Sequence, residues 1–212
     1  MRAMMYRGIK PTKIFSSPAL RCIQTACSMA KLANLPVCVE PGLFEPFIWY
    51  RRDAQSKLPV MAASKLRELG YPIDLDYRPV VQHSYFEKHP ESELEGRQRN
   101  DMILRTLSTS VEEGPVLIIG HAITIHTAHF ISKPHVVDTN SDDDLTSVED
   151  QWGTESAEPL NTCELGLRYP PGCVVTVARV SDGPPAQYQM INGLIPPLTY
   201  GREFSNRPVH PI

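Results

Sequence analysis

Arg21 lies in a stretch whose residue types suit the binding of an anion, FSSPALRCIQTA at residues 15–26. A short apolar run ends at Phe15, and Pro18 suits the first turn of a helix, where a hydroxyl just before it can cap the helix. Helical spacing follows, which places Arg21 in the first turn, at the C-terminal edge of a sheet. Unpaired N–H groups and a guanidinium at that place can bind phosphate oxygens. On spacing alone, a surface ion pair with a carboxylate explains Arg21 slightly better.

His121 occupies a comparable place later in the chain. It follows a continuous apolar run at residues 116–120, which is typical of a parallel strand covered on both faces. Ligands of open α/β sheets bind at the carboxyl ends of strands. We therefore expect His121 and Arg21 at the same edge of one sheet, although a satisfied core histidine explains His121 equally well.

Glu45 is a candidate general acid, since it lies on a loop after Pro41 and Gly42 and among four aromatic residues. Aromatic neighbours that exclude water raise the pKa of a carboxyl group, as a proton donor requires. The alternative is that these side chains are core, or a lid over core, and from the sequence alone that alternative is favoured. The four aromatic residues are Phe44, Phe47, Trp49 and Tyr50.

Other polar residues carry weaker signals. His126 and His129 share one helix three positions apart, but no carboxylate or cysteine with suitable spacing completes a metal site, so no metal is expected. Arg97 and Arg105 are expected on a solvated helix face. Arg99 is expected to be structural.

The composition narrows the class of protein. A chain of 212 residues with a net charge of −3 fits one domain, and no nucleic-acid or membrane partner is expected. Five cysteines without paired spacing indicate reduced thiols and a cytoplasmic location. No signal peptide is expected at residues 1–10, and no apolar run in the sequence is long enough to span a membrane.

Hydrophobic periodicity predicts an α/β arrangement. The helix at 91–110 is expected to pack through Leu94, Met102, Ile103 and Leu107. Residues 1–8 are typical of the last turns of a helix that begins upstream. The predicted strands are 12–15, 36–39, 116–120, 173–180 and 186–191, and the predicted helices are 18–32, 57–69, 91–110 and 122–131.

The segment 136–160 differs in composition from the rest. It carries eight acidic residues and no Lys or Arg, which predicts an acidic loop or insertion within a single domain at 1–212. The acidic residues are Asp138, Asp142, Asp143, Asp144, Glu149, Asp150, Glu155 and Glu158.

These segments together resemble the histidine phosphatase (phosphoglycerate mutase-like) superfamily. SSPALRCIQTA resembles its second phosphate-binding segment, and VEPGLFEPF at 39–47 and VLIIGHA at 116–122 follow in the family's order. IDLDYRP at 73–79 and PESELEGRQR at 90–99 are similar to one branch, the phosphatase domain of the ubiquitin-associated and SH3 domain-containing suppressors of T-cell receptor signalling. The resemblance covers residues 8–130 well and the C-terminal third weakly.

The resemblance implies a three-layer sandwich around a mostly parallel sheet and a phosphomonoester hydrolase that works through a phosphohistidine. Carried over by residue, Arg21 binds phosphate, Glu45 is the acid and base, and His121 is the second histidine, which also binds phosphate. No cofactor is implied, and the expected partner is a phosphorylated protein or a small phosphoester, with a homodimer left open.

One part of the family pattern is missing. The family opens with a strand that ends in Arg-His-Gly and supplies the nucleophile, and this tripeptide does not occur in the 212 residues. We therefore expect an N-terminally truncated domain, lacking its first strand, with little or no turnover. The alternative is a shortened, catalytically inactive protein that binds phosphate or acts as a scaffold.

Overall fold

The computed structural model describes residues 1–50, 60–132, 159–181 and 186–195, together with the backbone of two short strands at 199–200 and 204–205. Nearly all of the acidic segment 136–160 lies outside the described residues, so its expected character stays a prediction. Residues 57–59 of the predicted helix 57–69 also lie outside the described residues. Residues 60–62 are described and are not helical, so the prediction placed the start of this helix too early, since it begins at Ala63.

A three-stranded parallel sheet forms the centre of the described chain. Strand β1 (Lys13–Ser16) lies between β2 (Val37–Val39) and β3 (Val116–Ile119). Phe15 pairs with Cys38 on one side and with Ile118 on the other. The predicted parallel arrangement of the strands before Arg21 and His121 is confirmed, and the two strands are direct neighbours.

The helices lie before, between and after these strands. They are α1 (Arg2–Tyr6), α2 (Leu20–Ala33), α3 (Ala63–Glu68), α4 (Ser84–Lys88), α5 (Glu93–Ser108), α6 (Ala122–Ile131) and α7 (Thr162–Arg168). An antiparallel pair follows, β4 (Val177–Ser181) with β5 (Gln187–Met190), and then β6 (Thr199–Tyr200) with β7 (Phe204–Ser205). The predicted pairing of the two C-terminal strands is confirmed, and β4 begins four residues later than expected.

Side chains that alternate along β1 build a core on each face of the sheet. Ile14 packs with Ile23 of α2 on one face, whereas Phe15 packs with Ile103 of α5 on the other, and all four side chains are fully buried. Helices therefore cover both faces. This three-layer arrangement confirms the predicted α/β fold class with a parallel central sheet.

Helix α2 begins differently from the expectation. Its N-cap residue is Ala19, and no side-chain hydrogen bond caps the helix. Helix α2 ends where Asn34 adopts a left-handed conformation, with φ of 54°. The buried Ser17 hydroxyl accepts the N–H of Ala19 itself at 3.4 Å and lies 2.7 Å from the His121 ring, but it accepts no N–H from the first turn, so the prediction of a hydroxyl cap is wrong.

Helix α5 corrects two expectations. Ile103 and Leu107 are buried as predicted, but Leu94 and Met102 are 36% and 45% exposed. Arg97 and Arg105 do not lie on a solvated face, because each is paired with an acidic residue of the same helix.

Arg97 is 3% exposed and pairs with Glu93 at 2.5 Å, and Arg105 pairs with Asp101 at 2.6 Å and lies over the ring of Tyr188. In both pairs the acidic residue is four positions earlier on the same helix. Such pairing supplies the counter-charge that a buried guanidinium requires, which the apolar pattern does not reveal.

The described residues lack two kinds of feature. They contain no group of three His, Cys, Asp or Glu side chains placed to hold a metal ion. No helix in the same part of the chain is long and apolar enough to cross a membrane.

Candidate phosphate-binding site

The structure brings the three predicted site residues, Arg21, Glu45 and His121, into direct contact at the carboxyl edge of the sheet. Arg21 lies in the first turn of α2, and its Nη2 atom is 2.9 Å from Nδ1 of His121. Glu45 lies between two 3₁₀ turns, Pro41–Leu43 and Phe47–Trp49, and its Oε2 atom pairs with Arg21. The same oxygen is 3.3 Å from Nδ1 of His121.

The hydrogen bonds of His121 determine which ring nitrogen carries the proton. The guanidinium of Arg21 can only donate, so Nδ1 of His121 accepts. Nε2 therefore carries the hydrogen and donates to Oγ of Ser17 at 2.7 Å. Burial, with the nearby charges of Arg21 and Arg99, lowers the pKa of His121 to about 3. His121 is thus neutral at neutral pH, and its contact with Glu45 is not an ion pair.

The backbone around His121 is tightly packed at the start of α6. The N–H of His121 donates to Oγ1 of Thr124 at 3.1 Å. A Cβ atom on Gly120 would lie 2.3 Å from that same oxygen. Only glycine fits at position 120 without displacing Thr124, so Gly120 and Thr124 together hold the His121 backbone in place.

Cys22 is a neighbour of His121 that the sequence analysis did not single out. Its Sγ atom is 3.8 Å from Nε2 of His121 and donates to the carbonyl of Gly120 at 3.4 Å. Burial raises the pKa of the Cys22 thiol to about 11, so it remains protonated and non-nucleophilic at neutral pH. The sequence could have indicated that Cys22 lies near the site, because it directly follows Arg21 and so belongs to the same helix turn at the edge of the sheet.

Some of the aromatic residues around Glu45 belong to the hydrophobic core, and one contacts Glu45 itself. Phe44 and Phe47 are core residues, 1% and 5% exposed, and the Phe44 ring meets the His121 ring edge-on at 5.8 Å. Tyr50 instead faces the site, since its hydroxyl contacts Oε2 of Glu45 and lies 3.1 Å from Nη2 of Arg21. Sequence reasoning placed Tyr50 near Glu45 but did not assign this contact.

A buried ion pair stabilises the loop that carries Glu45. Arg99 and Glu91 have side chains that are 3% and 1% exposed, and they meet at 2.6 and 2.8 Å. Arg99 also donates to the carbonyls of Gly42 at 2.5 Å and Phe44 at 3.0 Å. Glu91 accepts the N–H of Phe47 at 3.1 Å. Both ends of the Glu45 loop are thus hydrogen-bonded to Glu91, just before α5, and to Arg99 within it.

These groups can receive a phosphoryl group. A guanidinium and the first turn of a helix attract its oxygens, a histidine lies beside them, and a carboxylate stands within hydrogen-bond reach of both. The chain is thus an α/β protein in which a guanidinium, an imidazole and a carboxyl group meet at the carboxyl edge of a parallel sheet.

Comparison with known proteins identifies the family. Residues 3–134 match the model of the histidine phosphatase superfamily (branch 1), so the chain belongs to that superfamily, as the resemblance implied. It is 32% identical to ubiquitin-associated and SH3 domain-containing protein A of Homo sapiens over 129 residues, 58% of this chain and 19% of the relative. It is 31% identical to the ecdysteroid-phosphate phosphatase of Drosophila melanogaster over 140 residues, 59% of this chain and 17% of the relative.

A solved structure shares the fold. The crystal structure of the ecdysone phosphate phosphatase of Bombyx mori in complex with tungstate superposes with a TM-score of 0.60 at 22% identity, covering 95% of this chain and 70% of that one. The chain spans less than a fifth of the length of the two curated relatives.

Proposed function

We propose that this chain binds phosphate monoesters through Arg21 and His121, with Glu45 beside them as the acid and base, and that it serves the phosphomonoester hydrolysis typical of its superfamily. The direct contact of these three side chains, which come from separate segments of the chain, is the observation that carries the proposal. Membership of the histidine phosphatase superfamily and the phosphatase among the relatives support it.

Each side chain has a distinct role in this proposal. Arg21 pairs with the non-bridging oxygens of the phosphoryl group, because a guanidinium presents two parallel N–H donors. His121 presents Nδ1 on the same side, and a phosphate dianion there would favour a proton on that atom. Glu45 gives a proton to the leaving oxygen as the phosphoryl group passes to the attacking histidine that the resemblance implies, and it takes a proton from the water that then releases phosphate.

The substrate is a protein phosphotyrosine or a small phosphoester. The ecdysteroid-phosphate phosphatase among the relatives supports the small phosphoester. The phosphotyrosine alternative rests on the resemblance to the phosphatase domain of the suppressors of T-cell receptor signalling. Both substrates present the same dianionic group to the site, so the residues described here do not discriminate between them.

Phosphate binding without turnover is the second candidate function. In the resemblance, the attacking histidine belongs to an Arg-His-Gly tripeptide, which these 212 residues lack. His121 cannot readily replace it, because its Nε2–H is held by Ser17 and its Nδ1 faces Arg21. A protein with the remaining groups would bind phosphorylated ligands as a scaffold.

Two measurements on purified residues 1–212 test these proposals. Calorimetry with inorganic phosphate should show affinity that falls about 10- to 100-fold in Arg21→Ala, since a charge-assisted hydrogen bond contributes about 1.5–3 kcal/mol. Arg2→Ala removes an exposed arginine from α1 and is the matched control. Hydrolysis of para-nitrophenyl phosphate then separates the two functions. Equal phosphate affinity in wild type and Arg21→Ala would refute the site.

A further inference from the structure

Tyr50 connects the two charged residues of the site. Arg21 belongs to α2 and Glu45 to the loop after β2, and the Tyr50 hydroxyl contacts both, Nη2 of Arg21 at 3.1 Å and Oε2 of Glu45 more closely. Arg21 and Glu45 also contact each other. The three groups therefore form a closed triangle, in which Tyr50 is the uncharged corner.

A count of hydrogens shows how the triangle is bonded. Nη2 of Arg21 carries two hydrogens but faces three acceptors, namely Oε2 of Glu45, Nδ1 of His121 and the Tyr50 oxygen. The Tyr50 hydroxyl has one hydrogen, and Glu45 is the anionic acceptor within its reach. Tyr50 thus donates to Glu45. Burial and this hydrogen bond raise the pKa of Tyr50, so its hydroxyl stays protonated.

The Tyr50 ring is itself well anchored. The ring packs against the fully buried Phe44 ring at a centroid distance of 5.1 Å. The backbone N–H of Tyr50 donates to the carbonyl of Phe47 at 2.9 Å. The hydroxyl is consequently presented to Glu45 from a fixed position, and a fixed donor orients a carboxylate more effectively than a mobile one.

We propose that Tyr50 is a positioning residue, whose hydroxyl holds the Glu45 carboxylate against Arg21 at the phosphate site. This inference rests on the proposed function. Held there, Glu45 lies where a leaving oxygen needs a proton, and it also competes with phosphate for the same guanidinium. A phosphate that pairs with Arg21 must therefore displace the carboxylate from Nη2, while the Tyr50 hydroxyl keeps Glu45 nearby.

Tyr50→Phe isolates this effect, since it removes the hydroxyl and leaves the ring. With Glu45 held less firmly, phosphate should bind about 3- to 10-fold more tightly, the factor that corresponds to one ordinary hydrogen bond. Glu45→Gln should bind phosphate more tightly as well, because the competing charge is gone. If Tyr50 acts through Glu45, adding Tyr50→Phe to Glu45→Gln should change the affinity by less than about twofold.

Tyr77→Phe is the matched control, because the Tyr77 hydroxyl also donates to a carboxylate, Oε2 of Glu40 at 2.7 Å, away from the site. It should leave phosphate affinity unchanged. Calorimetry with inorganic phosphate on wild type, the three single variants and the Tyr50/Glu45 double variant provides the test, with thermal unfolding to show that each protein is folded.

The outcomes separate this inference from the proposed function. No phosphate binding by any of these proteins would refute the site and the inference together. Arg21-dependent binding by the wild type, with Tyr50→Phe equal to it or weaker, would leave the site intact and overturn the role of Tyr50. Weaker binding from Tyr50→Phe in both the wild-type and Glu45→Gln backgrounds would show instead that the hydroxyl contacts phosphate directly.

Discussion

Replacing Arg99 with methionine should destabilise the protein severely, because it leaves the Glu91 carboxylate buried without its counter-charge. The side chains of the pair are only 3% and 1% exposed. Breaking a buried pair by removing one partner costs about 3–5 kcal/mol. Arg99 also donates to three loop carbonyls, those of Gly42, Phe44 and, at 3.5 Å, Glu45.

One of those carbonyls keeps a donor, since Asn100 Nδ2 lies 3.3 Å from the oxygen of Phe44, whereas the carbonyl of Gly42 loses the donor described here. An unsatisfied buried acceptor adds about 1–3 kcal/mol, which brings the expected loss to about 4–8 kcal/mol. Small domains have about 5–15 kcal/mol in total, so Arg99→Met should be near the limit of folding.

Urea denaturation followed by circular dichroism measures this loss. The double variant Glu91→Gln/Arg99→Met should recover about 2 kcal/mol relative to Arg99→Met, because a neutral amide costs less to bury and can still accept the N–H of Phe47. Lys65→Met is the control for a surface pair, as Lys65 and Glu68 are 60% and 64% exposed, and it should change stability by less than about 1 kcal/mol. A loss below about 1 kcal/mol for Arg99→Met, or no recovery in the double variant, would refute the reasoning.

Two further predictions concern His121 and its neighbours. Burial lowers the pKa of His121 to about 3, so below about pH 6.5 the unfolded chain takes up a proton at this residue and the folded protein does not. The free energy of unfolding therefore decreases as the pH is lowered, by about 1.4 kcal/mol at pH 5.5. Urea denaturation at pH 7.5 and 5.5 should show this loss in the wild type and not in His121→Gln, and equal losses would contradict the assignment. Gly120→Ala should push Thr124 away and lower both stability and phosphate affinity. Gly166→Ala, in α7 with open space around it, should be neutral or stabilising by up to about 1 kcal/mol in thermal unfolding, and similar effects of the two substitutions would argue against the crowding at Gly120.

The local elements of this protein could be predicted from the sequence. The apolar run before His121 and the periodic residues after it indicated β3 and α6, and the helix bounds 122–131 agree with the structure. Strand length, apolar spacing and turn residues are properties of neighbouring residues, which is why they can be seen in the sequence. The rule that ligands bind at the carboxyl ends of parallel strands then predicted that Arg21 and His121 lie at one edge of the sheet.

What the tertiary structure decided is which distant polar groups pair. The hydroxyl of Ser17 was expected to cap α2, but it accepts a hydrogen bond from the ring of His121, 104 positions away. Arg97 was expected in solvent and is buried against Glu93.

Tyr50 was counted among the aromatic neighbours of Glu45, and only the folded chain brings its hydroxyl to Arg21 as well. Whether a polar side chain is solvated, capping or paired depends on the position of its partner in space. Periodicity does not carry that information, so composition and spacing could locate the site but not its hydrogen bonds.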